Sequence, residues 1–128
     1  NCNAGDEVIT LAPNGRFYIC PGFFYDNSDD DCGSPQEGLI VKNRHLYKWE
    51  NAPICKHCDA YQCKRCVWLN KKLTLEYNTP SREQCVLSHL ERNASRQMLQ
   101  SSNLNIIAND IPEIDYLDPF DVRLNWEN

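Results

Sequence analysis

The sequence predicts a small α+β domain centred on metal or cluster sites, and three observations carry that expectation. Four cysteines, Cys55, Cys58, Cys63 and Cys66, fall within twelve residues as two C-x2-C pairs, a spacing that points paired sulfurs at one volume. Residues 7–19 hold two extended runs around Pro13-Asn14-Gly15, the chemistry of a hairpin turn. Asn78-Thr79-Pro80 then opens a long stretch of helical periodicity. The expected order is an N-terminal β-hairpin, a double-C-x2-C loop region, one long C-terminal helix and an irregular tail. Residues 1–100 are read as the metal- or cluster-binding domain, and residues 101–128 as a tail packing back on it.

The totals narrow the classes. With 128 residues, 41% hydrophobic composition and a mean hydropathy of -0.62, the chain has the size of one domain. A net charge of -5 and a pI near 5.1 argue against a nucleic-acid binder, which normally carries a basic face. No run of apolar residues is long enough to span a membrane. No signal peptide is visible and the chain opens at Asn1, so it is expected to be processed or cut from a longer protein. Eight cysteines permit disulfides in a secreted chain. Two adjacent C-x2-C pairs are poor material for long-range bridges, because a disulfide within C-x2-C closes a tight, redox-active ring. Ligation in a reducing, cytoplasmic setting is the preferred reading.

Each element follows from local chemistry. Residues 7–11 and 16–19 read as the hairpin strands. An antiparallel hairpin sets its outer ends side by side, so Cys2 and Cys20 are expected near each other. Residues 21–25 form an aromatic cluster after a turn and serve as core by default. Residues 26–35 read as a solvated acidic loop, lacking the spaced ligands of a calcium site. Cys32 within it is the weakest candidate ligand. Residues 38–42 suit a short strand. Asn43 would cap a short helix over 44–50, in which His45 is an ordinary histidine. Residues 67–77 read as irregular to short helical.

The long helix is expected from Thr79 as N-cap and Pro80 as first residue to about Gln100. Val86, Leu90, Ala94 and Met98, flanked by Leu87 and Leu99, make its apolar stripe. Cys85 near its start is a ligand candidate, and His89 lies on the same face four residues on. His57 is a further candidate. Lys56, His57, Lys64 and Arg65 inside the C-x2-C pairs would offset clustered thiolate charge. In the tail, the apolar pieces 104–107 and 111–120 are expected to dock on the basic face near Lys64 and Lys71.

The cysteine order resembles a known family. Gly15-x4-Cys20, then Cys55-x2-Cys58, Cys63 and Cys66, then a final Cys85, is similar to the SPASM domain, the C-terminal extension of radical S-adenosylmethionine peptide-modifying enzymes. The gaps around Cys63 are four and two residues where that family has five and three. The wording Tyr-Gln-Cys-Lys-Arg-Cys-Val-Trp-Leu-Asn at 61–70 is similar to the maturases of CXXX-repeat peptides.

The resemblance implies two auxiliary 4Fe–4S clusters, one on Cys2, Cys20 and Cys66, the other on Cys55, Cys58, Cys63 and Cys85. It also implies two partners, a radical core domain upstream in the same polypeptide and a ribosomally made precursor peptide. The radical-generating C-x3-C-x2-C motif is absent from these residues, so they would be accessory and not catalytic alone. Two other readings stand beside this one: a structural zinc module of four thiolates, or three and an imidazole, and a secreted disulfide-rich binding domain.

Overall fold

The computed structural model describes residues 2–101. The chain is α+β, with two separate two-stranded sheets and three α-helices among those residues. The tail segments expected to dock, 104–107 and 111–120, lie outside the described residues.

The N-terminal hairpin is present, with strands shorter than expected. Strand β1 (Thr10–Leu11) pairs antiparallel with β2 (Phe17–Tyr18), Thr10 opposite Tyr18 and Leu11 opposite Phe17. The turn closes as its residues predict: Gly15 N–H donates to the Ala12 carbonyl at 2.9 Å, with Gly15 at φ 77°, a conformation open to glycine at little cost. Glu7 and Val8 do not extend β1. Their amides donate instead to the Asn3 carbonyl at 3.0 and 3.1 Å, so a turn replaces the start of the strand.

The aromatic cluster after Cys20 is a helix, α1 (Pro21–Asp26), with Pro21 in its first turn. Proline there gives up no needed N–H and has the helical φ already set. The acidic loop is only partly a loop. It ends in β3 (Gly33–Ser34), paired with β4 (Gly38–Leu39). That second hairpin is sewn to the first through Cys32, whose N–H donates to the Phe17 carbonyl at 2.7 Å and whose carbonyl accepts from Ile40 at 2.9 Å. The strand expected over 38–42 is limited to the β4 pair.

The short helix expected over 44–50 splits into 3-10 turns at Arg44–Leu46 and Trp49–Asn51, because Lys48 between them is extended. Asn43 sits in the left-handed region at φ 52° and makes no side-chain cap. The buried core gathers Ala4, Ile19, Phe23, Cys32, Tyr47 and Val67. Tyr18 is fully buried, and its hydroxyl donates to the Ser28 carbonyl at 2.6 Å.

The region after the double C-x2-C is helical from its first residue. Helix α2 (Val67–Thr74) starts at Cys66 and stops at Leu75, left-handed at φ 65°. Helix α3 (Arg82–Ser101) begins two residues later than expected. Ser81, not Thr79, caps it: Gln84 N–H donates to Ser81 Oγ at 3.3 Å while Ser81 N–H donates to Gln84 Oε1 at 3.1 Å. This reciprocal capping box satisfies two donors at once, which a lone threonine does not.

The face of α3 that packs is also not the expected one. Leu87, Leu90 and Met98 are exposed, Met98 by 73%, while His89 and Arg92 are buried. The polar line Cys85, His89, Arg92 lies against the double C-x2-C, so the apolar stripe turns outward. Among the described residues, no helix is long and apolar enough to cross a membrane.

Candidate functional site

The cysteines sort into two groups. Cys55, Cys58, Cys63 and Cys85 line one pocket together with His89 and Arg65. Its remaining walls include the largely apolar side chains of Trp49, Ile54, Tyr61 and Pro80, and the four cysteines are partly buried. Three ties hold α3 over the double C-x2-C. Gln62 Nε2 donates to the Ser88 carbonyl at 2.8 Å. Cys58 Sγ and His89 Nε2 lie 3.4 Å apart. Asp59 accepts from both Arg92 and Arg96, and the Asp59 and Arg92 side chains are each only 10% exposed.

The second group is Cys2, Cys20 and Cys66. Cys2 N–H donates to the Lys64 carbonyl at 2.9 Å, which fixes the chain start beside the end of the double C-x2-C. Cys20 and Cys66 occupy the residues just before α1 and α2. Burial pushes the Cys20 thiol up, backbone N–H groups of Phe23 and Gly22 pull it down, and the nearby Cys66 and Cys2 push it up again.

Arg65 is what separates the groups. It stands between Cys63 and Cys66 with φ 38°, a left-handed conformation that costs a non-glycine residue about 1 kcal/mol or more. The reversal lets Cys63 face the α3 pocket while Cys66 joins Cys20. The Arg65 side chain is buried, and its Nη2 donates to the Tyr47 carbonyl at 2.5 Å.

Cys55 and Cys58 of the α3 pocket hold their protons in the unligated chain. Burial pushes Cys55 up to about 12, with Arg65 pulling against it and Cys85, Cys63 and Cys58 adding to the rise. Cys58 is raised by burial, with a backbone N–H from Ala60 opposing. Any metal taken up here must displace these protons. Cys2, Cys20, Cys32, Cys55, Cys58, Cys63 and Cys66 are free thiols. Among the described residues, no three His, Cys, Asp or Glu side chains are already gathered at the spacing of ligands to a single ion.

The remaining candidates fall elsewhere. Cys32 is in the core beside a different pocket, with Asp29, Asp30 and Asp31, and joins neither group. His57 is exposed on a 3-10 turn and does not line the pocket. Of the four basic residues inside the C-x2-C pairs, Lys56, His57 and Lys64 are exposed and only Arg65 is buried. Sequence reasoning passed over the Asp59–Arg92–Arg96 clamp. Its one signal was the spacing of Arg92 and Arg96, four apart and hence on one helix face. No protein-family model, curated protein or solved structure matches the chain.

Proposed function

We propose that this chain is a SPASM-type auxiliary-cluster domain, the accessory part of a radical S-adenosylmethionine enzyme that modifies a ribosomally made peptide. Cys55, Cys58, Cys63 and Cys85 would hold one 4Fe–4S cluster. Cys2, Cys20 and Cys66 would supply three ligands to a second. The observation that carries the reading is the sorting of the cysteines. Cys66 leaves its neighbour Cys63 and joins Cys20, as the resemblance implies and as local spacing alone does not require.

The donor set fits such a group. A tetrahedral zinc site draws its sulfurs to about 3.8 Å from one another, given Zn–S bonds near 2.3 Å. A cluster caps a different iron with each cysteine, and so suits four thiols around a shared pocket. Such clusters, when bound, supply one-electron transfer. Around them this chain's residues would offer apolar walls in Trp49 and Ile54, provide a buried cation in Arg65, and hold α3 in place through Asp59. Cleavage of S-adenosylmethionine would belong to another part of the polypeptide, and the free thiols suit a reducing compartment such as the cytoplasm.

The 3.4 Å contact of Cys58 with His89 favours a second reading, a structural zinc site of three thiolates and an imidazole. Anaerobic expression followed by visible absorption and counts of iron, sulfide and zinc separates the two. The proposal expects a brown protein with about eight irons, two cubanes of four each. Cys55→Ala and Cys20→Ala should each remove one centre and leave the other. A colourless protein with stoichiometric zinc supports the second reading, and metal content unchanged in Cys55→Ala refutes both.

A further inference from the structure

We propose that Arg65 is the fixed counter-charge of the four-cysteine pocket, a tuning residue that sets the reduction potential of the centre held by Cys55, Cys58, Cys63 and Cys85. The inference rests on the iron–sulfur reading above and names the residue through which the protein controls that site.

Three observations carry it. Arg65 is 3% exposed, and no carboxylate pairs with it among the described residues. Among the described residues its Nη2 and Nη1 reach only neutral partners, the carbonyls of Tyr47 at 2.5 Å and Lys48 at 3.5 Å. Its Nε is buried with no hydrogen-bond partner among those residues. Burying a guanidinium without an anion is costly, and folded proteins keep such charges only beside a compensating one. Among the described residues, the anions within reach are those of the pocket it lines, where four cysteines become thiolates when a cluster binds.

The backbone adds an argument. A turn at φ 38° asks for glycine or asparagine, and the chain places an arginine there. The turn geometry is thus accepted together with a side chain that does not favour it, the pattern expected where the side chain itself is needed. Lys56 and Lys64, by contrast, are exposed and screened by water.

Four thiolates around a dicationic cluster leave a net charge of about -2, and adding one electron makes it about -3. A buried cation stabilises the reduced form more than the oxidised one, so it raises the potential. No bond breaks and no proton moves at Arg65, whose guanidinium stays charged throughout.

The test uses the full chain, purified anaerobically and titrated with dithionite under potentiometric and EPR control, as wild type, Arg65→Gln and Arg65→Lys. The expected result has one centre shifted to a more negative potential in Arg65→Gln, and the centre that Cys20→Ala removes unmoved. Arg65→Lys, which keeps the charge, should hold the potential close to wild type. Loss of about half the iron in Arg65→Gln with retention in Arg65→Lys also supports the proposal. An unchanged potential in Arg65→Gln overturns it. Equal losses of iron and circular dichroism in both variants overturn it too, because they assign Arg65 to the fold alone. A wild-type protein without iron and sulfide removes the underlying reading, and this is decided before any variant is made.

Discussion

Arg92→Met removes the charge of the Asp59 clamp while keeping a long apolar stem in its place. Asp59 and Arg92 are each 10% exposed, close to the buried limit in which losing one partner costs about 3–5 kcal/mol. Arg96 still holds the other carboxylate oxygen, but its side chain is 59% exposed, and such a pair is worth about 0–1 kcal/mol. The expected loss is therefore about 2–3 kcal/mol, or roughly 8–12 °C in Tm at about 4 °C per kcal/mol for a domain of this size. The assay is scanning calorimetry of protein with matched metal content, extended to a double-mutant cycle with Asp59→Asn. The two single losses should exceed the double loss by about 2 kcal/mol, since the double variant leaves neither charge stranded. A coupling below about 0.5 kcal/mol would show that α3 is not held to the double C-x2-C by this clamp.

Two further outcomes follow from the same contacts. Burial pushes the Asp59 carboxyl up, but the hydrogen bonds and charges of Arg92 and then Arg96 outweigh it and leave its pKa below the usual carboxylate range. Its stabilisation is thus fully present above the unfolded value near 3.9 and fades as pH falls through the lower folded value. The wild-type Tm should drop more steeply than that of Arg92→Met below about pH 4, and parallel curves would refute the assignment. At Gly22, a Cβ would lie 2.7 Å from the Trp68 ring, so Gly22→Ala must shift α1 against α2 at a cost of about 1–3 kcal/mol. Because Cys20 and Cys66 stand at the starts of those helices, the same change should selectively weaken the centre they share, as read by iron retention under chelator.

The sequence by itself determined the local features. Pro13-Asn14-Gly15 makes the hairpin turn because its residues accept those angles without help from the rest of the chain. The long helix is equally local, and its described part runs from Arg82 through Ser101. The doubled C-x2-C marked the site for the same reason, since two residues between cysteines suffice to aim both sulfurs one way.

Three matters were decided only by the tertiary structure. Helix amphipathicity pointed to Leu90 and Met98 as the packed stripe, yet α3 buries His89 and Arg92 and turns Cys85 to the same pocket, because the surface it meets offers sulfurs and Asp59. Cys32 reads as a loop residue but is drawn into the core by a backbone bond to Phe17 of the first hairpin and another from Ile40 at the end of its own. The parting of Cys63 from Cys66 turns on the left-handed angle at Arg65, which no propensity of arginine foretells. The long-range contacts around that residue stabilise an angle that the residue alone would avoid.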